Sequence, residues 1–292
     1  MYKIAILGCE NSHADAFLSL IAEGRYPDIT PIGVYSNEEE PPRLLHEKYG
    51  VSILSSPKEA VGRVDGVMIT ARHGGLHSVY AAPYLDAGIP MFIDKPIAAE
   101  EKDGLRFMAQ CKKRGIRLCG GSTCANLRET VDLARAVKTE EVGSLLGGHI
   151  VCPIQRNSPY GGFTFYAEHL VDVMLRIFGK GIRRIRVEKS PDAWNVLSDY
   201  GDFAVAGTWG EGISYYSVSL LGKKGIRTET LTFSRESFAH EMDDMAALLR
   251  GGAMQKSYED FLLPVFVIGA ALRAAESGEW EEVRQIRLSE VL

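Results

Sequence analysis

Short apolar runs alternate with amphipathic stretches over roughly the first 120 residues of the chain. The apolar runs have the length of buried strands and lie at residues 3–7, 29–35, 64–70, 90–94 and 117–119. Between them, apolar residues recur with helical spacing, as Phe17, Leu18 and Ile21 do. One such helix is predicted from Leu76 to Ala87, with Gly88 ending it in the left-handed conformation. Strands that are apolar nearly throughout and alternate with helices are typical of a parallel sheet covered on both faces. The pattern predicts an α/β domain over residues 1–122, with ligands at the carboxyl ends of its strands.

The pattern changes after the segment Gly120-Gly121-Ser122. Helical spacing recurs at residues 127–137, 165–178, 236–249 and 258–275, and strand-like segments lie at 145–151, 182–188, 203–209, 213–220 and 227–233. The late strands are joined by glycine-bearing turns such as Trp209-Gly-Glu-Gly212, which favour antiparallel hairpins. Residues 123–292 are therefore predicted to form an α+β domain with a largely antiparallel sheet.

Length and charge exclude several classes of protein. At 292 residues, with 46% hydrophobic and 24% charged residues, the composition is that of a globular chain of two domains and not of a disordered one. A net charge of −5 is unfavourable for a nucleic-acid binder, which needs a basic surface. No apolar run approaches the ~18 residues of a membrane span. We expect neither nucleic acid nor membrane among its partners.

The cysteines and the N-terminus predict a cytoplasmic protein without a metal site. The five cysteines form no CxxC pair, and an odd number of thiols fits reduced cysteines better than disulfides or a zinc site. The chain starts with Met1 and leads directly into an apolar strand, without the small-residue cleavage site of a secretory signal.

The loop after the first strand, Ala5-Ile-Leu-Gly-Cys-Glu-Asn-Ser-His13, lies where a dinucleotide-binding fold has its glycine-rich turn. Only Gly8 fits that fingerprint. Asn11 and Ser12 are good helix caps, and the N-terminus of a helix is an anion site, so Gly8, Asn11 and Ser12 are candidates for phosphate binding. The alternative is a capped helix with no ligand.

The end of the second strand bears on the choice between NAD and NADP. An enzyme that prefers NAD usually has an acidic residue here to accept the ribose hydroxyls, but this chain has Ser36. The three carboxylates of Glu38–Glu40 follow closely and would repel the additional phosphate of NADP. The sequence thus favours NAD, leaves NADP open with Arg43 as its candidate partner, and is equally consistent with a solvated acidic turn.

A lysine follows the buried strand in Phe92-Ile-Asp94-Lys95-Pro96. At the carboxyl end of a strand, the Lys95 ammonium can donate to a substrate hydroxyl and stabilise a developing alkoxide. Without further information, an ordinary surface lysine is the alternative.

Several segments together resemble the glucose-fructose oxidoreductase / inositol dehydrogenase family. They are Val64-Asp-Gly-Val-Met-Ile-Thr70 with His77 downstream, Ala87-Gly-Ile-Pro-Met-Phe-Ile-Asp-Lys-Pro96, and Glu168-His169-Leu-Val-Asp172 after Gly161-Gly162. The resemblance extends over nearly the whole chain. It implies a Rossmann NAD(P)-binding domain, a C-terminal sheet domain, and hydride transfer between nicotinamide and a sugar or cyclitol. It also implies that Lys95-Pro96 faces the substrate, often through a cis bond.

The resemblance also implies the roles of individual residues. His169 and Asp172 are three residues apart and so share a helix face; His169 would be the acid/base, with Asp172 tuning it or placing the substrate. Arg72, His77 and Lys95 would lie beside the cofactor, together with Ser36. Many members carry an aspartate four residues before this histidine, where this chain has Phe165. Lys95 and His169 are expected to meet across one cleft.

Two functions follow from these observations. The leading hypothesis is an NAD(P)-dependent oxidoreductase that acts on CH–OH groups of a sugar, a cyclitol or a related polyhydroxy compound. The alternative is a non-catalytic nucleotide- or sugar-binding regulator that retains the fold, which Phe165 and the missing glycines favour. We also expect a homodimer or homotetramer formed through the open face of the second sheet, whose alternating side chains include Val205, Tyr215, Val218 and Leu220.

Overall fold

The computed structural model describes residues 1–290 and divides into two compact units. The first contains Met1–Gly121, Ser234–Leu262 and residues 287–290, and the second contains Ser122–Phe233 and Leu263–Ile286. Each unit has its own sheet. The two-part organisation resembles the one expected, but the chain returns to the first unit after residue 233, whereas the sequence predicted two contiguous domains.

The strands are β1 (Tyr2–Leu7), β2 (Ile29–Tyr35), β3 (Gly66–Ile69), β4 (Met91–Asp94), β5 (Leu118–Gly121), β6 (Leu145–Ile154), β7 (Arg184–Lys189), β8 (Ala193–Asp199), β9 (Ala204–Glu211), β10 (Tyr216–Gly222), β11 (Gly225–Leu231) and β12 (Glu281–Glu282). The α-helices are α1 (Ser12–Ala22), α2 (Glu40–Tyr49), α3 (His77–Ala81), α4 (Glu101–Arg114), α5 (Arg128–Lys138), α6 (Thr164–Phe178), α7 (Ala239–Leu249) and α8 (Tyr258–Ser277).

The sheet of the first unit is parallel throughout, in the order β2-β1-β3-β4-β5. This confirms the α/β architecture predicted from the near-continuous apolar strands. In this order the connections reverse direction between β1 and β3, so the crevice that binds ligands in such sheets lies at the carboxyl ends of those two strands.

Helix α7 belongs to the core of this first unit. Its Met242 and Met245 are buried in one cluster with Ile4 and Met68 of the sheet. A Cβ atom at Gly66 would lie 2.5 Å from Cε of Met245, so the glycine allows the helix to lie directly on β3. A parallel sheet needs cover on both faces. A segment from the second half of the chain supplies part of that cover, and this is why the unit is discontinuous.

One predicted helix is interrupted. Helical spacing from residue 76 to 87 predicted a single helix, but α3 ends at Ala81 and a 3₁₀ turn follows over Ala82–Ala87. Pro83 lies in the first turn of that 3₁₀ segment, and proline has no N–H to continue an α-helix. Gly88, with φ of +66°, ends the segment in the left-handed conformation, as predicted.

The second unit holds a seven-stranded sheet in the order β11-β10-β6-β9-β8-β7-β12. Among the strand pairs of residues 1–290, only β6–β9 is parallel in this sheet, which confirms a largely antiparallel sheet. One face is buried in a core shared with α5, α6 and α8, to which Val205, Val218 and Leu220 belong. These three side chains therefore lie on the face covered by helices, while Tyr215 is exposed outside the strands.

Two strands of this sheet were not predicted, β8 and the short β12. Strand β8 contains Asn195, Ser198 and Asp199, which are typical of turns, and only Val196 and Ser198 are buried. Among residues 1–290, none of the helices has the length and apolarity needed to cross a membrane. All five cysteines are buried free thiols.

Candidate functional site

The loop after β1 approaches the end of β3 at Gly8. Gly8 has φ of +86°, and a Cβ atom there would lie 2.3 Å from the backbone nitrogen of Ala71. No other residue fits this turn without displacing the backbone. Helix α1 begins at Ser12, and Asn11 is its N-cap, with Oδ1 accepting a hydrogen bond from the backbone N–H of His13. The capped N-terminus thus lies at the carboxyl end of β1, as predicted.

The remaining fingerprint positions carry functional groups in place of glycines. Counting from Gly8, the second glycine position is Glu10 and the third is His13. Oε2 of Glu10 accepts a hydrogen bond from Oγ of Ser36 at 2.8 Å, and its Oε1 accepts one from the backbone N–H of Arg72 at 3.1 Å. Glu10 therefore connects the residues that follow β2 and β3. Glu10 was not predicted for the site, although its place two residues after Gly8 was a visible signal.

His13 is buried between two carboxylates. Its Nδ1 lies 2.9 Å from Oδ2 of Asp94 and 3.7 Å from Oε2 of Glu241. Burial by itself would lower the pKa of His13, but the charges of Asp94 and Glu241 outweigh burial and raise that pKa. The rings of Phe17 and Phe238 lie edge-on to the imidazole. The two carboxylates thus favour the protonated form of His13 at the start of α1, a residue that was not predicted for the site.

Asp94 orders the segment that carries Lys95. Its Oδ1 accepts a hydrogen bond from the backbone N–H of Lys95 at 2.6 Å, and its Oδ2 accepts one from Nδ2 of Asn11 at 2.8 Å. The peptide bond between Lys95 and Pro96 is cis, as the resemblance implied. Asp94 is fully buried and Lys95 is only 4% exposed. Burial acts to raise the pKa of Asp94, but His13 and Lys95 hold it below its usual value.

The turn after β3 holds the other residues expected beside the cofactor. His73 caps a 3₁₀ turn, its Nδ1 accepting a hydrogen bond from the backbone N–H of Gly75. The ring of His77 is fully buried; its Nε2 lies 2.8 Å from the carbonyl oxygen of Ala71, and burial lowers its pKa. That His77 lies beside the cofactor stays a prediction. In the structure its ring contacts the turn that carries Arg72.

The second unit places His169 in a small polar cluster on α6. Nδ1 of His169 lies 2.7 Å from Oγ of Ser122 and 3.3 Å from Sγ of Cys124. The ring of Tyr166 packs edge-on against the imidazole, with 5.4 Å between the ring centroids. His169 is 7% exposed. One ring nitrogen is therefore fixed by protein groups.

Asp172 contacts the same cluster through the backbone. Its Oδ2 accepts a hydrogen bond from the N–H of Ser122 at 2.8 Å, and the Oγ of Ser122 accepts one from the N–H of Cys124. The spacing of His169 and Asp172 thus does bring both to one place, but Ser122 lies between them. Ser122 was not predicted for the site, and its one signal in the sequence was its position as a cap after two glycines. Phe165 packs against Tyr160 and Tyr166.

Lys95 belongs to the first unit and His169 to the second. The structure brings Lys95 together with Asp94, and it brings His169 together with Asp172. That the two groups meet across one cleft stays a prediction.

Residues 2–121 match the model of an oxidoreductase family with an NAD-binding Rossmann fold. This segment belongs to that family. The resemblance drawn from the sequence is thereby confirmed for the segment, and the first unit is an NAD-binding Rossmann domain. No curated protein matches the chain.

Solved structures extend the similarity of fold to the whole chain. A myo-inositol 2-dehydrogenase from Lactobacillus plantarum has a TM-score of 0.85 at 12% identity, with 97% of this chain and 99% of that chain covered. GenD2 from gentamicin A biosynthesis, in complex with NAD, has a TM-score of 0.84 at 18% identity, and 97% of each chain is covered. The WlbA dehydrogenase from Chromobactrium violaceum, in complex with NADH and UDP-GlcNAcA, has a TM-score of 0.80 at 16% identity, with 96% of this chain and 95% of that chain covered.

The residues at the carboxyl ends of β1, β2 and β3 fit NAD. The tight turn at Gly8 leads into the capped N-terminus of α1, whose first N–H groups and helix dipole favour a diphosphate. Ser36 places a hydroxyl at the end of β2. Glu10, His13 and Ser36 depart from the common pattern, and the side chain of His13 is buried beside Asp94.

Proposed function

We propose that the protein is an NAD-dependent oxidoreductase that acts on a CH–OH group of a sugar, a cyclitol or a related polyhydroxy compound. The observation that carries this proposal is the Asp94-Lys95-Pro96 segment, which places a nearly buried lysine directly after β4 of an NAD-binding domain. Sugar- and cyclitol-type names among the structural neighbours, such as the myo-inositol 2-dehydrogenase, support the substrate class.

Lys95 orients and polarises the reacting oxygen. Asp94 holds the backbone N–H of Lys95 and is itself held by Asn11 and His13, so the segment is fixed by buried hydrogen bonds and an ion pair. A fixed ammonium stabilises an alkoxide more strongly than it stabilises the neutral hydroxyl. This preference lowers the barrier to hydride departure.

His169 exchanges the proton of the substrate hydroxyl. The contact between its Nδ1 and Ser122 fixes the orientation of the ring. Asp172 is a positioning residue, since it fixes the backbone of Ser122. In the oxidation direction the substrate C–H bond releases a hydride, the O–H bond releases a proton to His169, and a carbonyl forms. NAD, held by the loop at Gly8 and the N-terminus of α1, would supply the hydride acceptor for this oxidation.

We further propose a preference for NAD over NADP. The side chains of Glu38, Glu39 and Glu40 are exposed just after β2, where their charge opposes a second phosphate. Arg43, the candidate partner of such a phosphate, is paired with Glu47 at 2.6 Å. Calorimetric titration with both cofactors tests the preference, and tighter binding of NADP would contradict it.

The reaction itself is tested with the purified protein, NAD or NADH, and a panel of polyols and keto-sugars, by following the absorbance of reduced nicotinamide. We expect turnover of at least one polyhydroxy substrate. The second candidate function is a non-catalytic binding protein, favoured by Phe165 in place of the usual aspartate. Binding of NAD with no turnover across the panel would favour that second function.

We propose that the chain forms a homo-oligomer through the uncovered face of the second sheet and resides in the cytoplasm. That face carries a polar ladder in which Thr208 contacts both His149 and Asn195. Beside it are exposed apolar side chains, among them Ile226, which is 71% exposed. The location is supported by the five buried free thiols. A single species of 32.1 kDa in light scattering would contradict the oligomer.

A further inference from the structure

Glu10 occupies a position where dinucleotide-binding loops ordinarily have a glycine, and its carboxylate is held in a defined place. Oε2 accepts a hydrogen bond from Oγ of Ser36 at 2.8 Å, and Oε1 accepts one from the N–H of Arg72 at 3.1 Å. Ser36 follows β2 and Arg72 follows β3. The negative charge therefore lies over the end of β1, between the ends of its two neighbours. Burial raises the pKa of the adjacent Cys9 thiol to about 12, and the charge of Glu10 contributes to that rise.

An NAD-binding domain commonly has an acidic residue at the end of its second strand, which accepts hydrogen bonds from the adenosine ribose hydroxyls. Here that position is Ser36, which carries no charge and whose hydroxyl donates to Glu10. The nearest acidic residues in sequence, Glu38 to Glu40, are exposed. Of these carboxylates, only that of Glu10 is hydrogen-bonded to the residue at the end of β2.

We infer that Glu10 supplies the ribose-binding carboxylate from the loop after β1 and thereby selects NAD over NADP. A carboxylate has about four lone-pair sites. Ser36 and Arg72 use two of them, which leaves two for the vicinal hydroxyls of the ribose. A 2′-phosphate in the same place would meet a like charge at short range. The inference rests on the NAD-dependence proposed above, and it assigns the selectivity to a residue outside the Glu38–Glu40 turn.

The neutral isostere Glu10→Gln tests this role. Calorimetry should show that it weakens NAD binding by about 10- to 100-fold, the range for loss of hydrogen bonds to a charged acceptor. The affinity for NADP should rise, because the repulsion is removed, so the NAD-to-NADP affinity ratio falls by roughly tenfold or more. Ser36→Ala removes the hydroxyl that donates to the Glu10 carboxylate and should lower the NAD-to-NADP affinity ratio by a smaller factor. This variant provides the test if Glu10→Gln does not fold.

A rescue and two matched controls accompany these variants. Adding Ser36→Asp to Glu10→Gln returns a carboxylate to the end of β2 and should restore the preference for NAD. Glu23→Gln makes the same chemical change at the opposite end of α1, where Glu23 accepts from Ser19, and should leave both affinities unchanged. Glu38→Gln measures how much the exposed Glu38–Glu40 turn contributes to selectivity. It should change the NAD-to-NADP affinity ratio less than Glu10→Gln does.

An unchanged affinity ratio in Glu10→Gln would overturn the inference. So would tighter binding of both cofactors, since the carboxylate would then merely oppose the diphosphate. A full loss of selectivity in Glu38→Gln alone would assign the role to the turn. All of these tests measure the binding of NAD and NADP and do not require turnover. An absence of turnover on sugars would contradict the proposed reaction, whereas the titrations alone would decide the role of Glu10.

Discussion

Nδ1 of His13 lies 2.9 Å from Oδ2 of Asp94, and both side chains are buried. The pair connects the loop after β1 to the residue that precedes Lys95. Oε2 of Glu241, on α7, lies 3.7 Å from the same nitrogen. A position that is usually glycine in dinucleotide-binding loops is therefore part of a buried charged cluster in the first unit.

The His13–Asp94 pair predicts a pH dependence of stability. Although burial opposes it, the charges of Asp94 and Glu241 raise the pKa of His13 above its ordinary value of about 6.5. Its contribution is thus complete below pH ~6.5 and is lost as the pH rises through the raised folded-state pKa. Burial acts to raise the pKa of Asp94, but His13 and Lys95 lower it. The contribution of Asp94 to stability is therefore present above pH ~4 and is lost as the pH falls through the lowered pKa.

Near pH 6, His13→Gln should reduce the free energy of unfolding by about 3–5 kcal/mol, because it removes the imidazolium that lies between the buried carboxylates of Asp94 and Glu241. Urea unfolding at a series of pH values from 6 to 10 measures this. The stability of the unsubstituted protein should decline over that range more steeply than that of His13→Gln. His240→Gln, an exposed histidine on α7, should keep the full pH dependence. Parallel curves for the unsubstituted protein and His13→Gln would contradict the assignment.

Gly8 and Gly24 together separate the cost of backbone strain from the cost of steric overlap in the loop after β1. Both have positive φ, +86° and +78°, but a Cβ atom at Gly8 would lie 2.3 Å from Ala71 N, and one at Gly24 would meet nothing within 4 Å. Gly24→Ala should cost about 1–2 kcal/mol from backbone strain alone. Gly8→Ala should cost a further ~1–3 kcal/mol from overpacking and should weaken NAD binding. Thermal unfolding and calorimetry measure both, and equal losses in the two variants would show that the close approach is unimportant.

The parallel sheet was predictable because its strands are buried on both faces, as the fully buried β3 and β4 are. The place of α7 was not, because helical periodicity shows that Met242 and Met245 are buried but does not show against which sheet. Strand β8 was missed for another reason: its face with Asn195 and Leu197 is exposed and mixes polar with apolar residues. Local sequence indicates the faces of an element, whereas the partner is set by the whole chain.

The candidate site divides in the same way. Lys95, His169 and Asp172 could be named from motifs because each lies in a short segment with a recognisable spacing. Glu10, His13 and Ser122 act through partners that are distant in the chain, and Ser36, Asp94 and His169 are those partners. Such pairings depend on which strand ends and helices lie together, so a single sequence does not reveal them.

Lys95→Ala should lower kcat by about 10²–10³, the usual effect of removing one electrostatic donor to a developing oxyanion. The Kd for NAD should change little, because backbone groups of the loop after β1 bind the diphosphate. Lys95→Arg should remain slow, since a planar guanidinium does not replace an ammonium at a fixed position. Steady-state kinetics and calorimetry separate the two effects, with the exposed Lys102→Ala as the control. Normal turnover in Lys95→Ala would remove the proposed role.

His169→Ala should lower kcat by about 10²–10⁴ and remove the pH dependence of turnover near neutrality, because the group that exchanges the hydroxyl proton is lost. Ser122→Ala should retain the pH dependence but shift its midpoint, since Nδ1 of His169 loses the partner 2.7 Å away. His46→Ala, a histidine of the first unit, serves as the control.

If Lys95 and His169 serve one hydride-transfer step, the double variant should lose less activity than the product of the two single effects. Profiles of kcat/KM from pH 5 to 10 measure all of these variants. Strictly multiplicative losses in the double variant would contradict a shared step. A Ser122→Ala profile identical to that of the unsubstituted protein would contradict the positioning of His169 by Ser122.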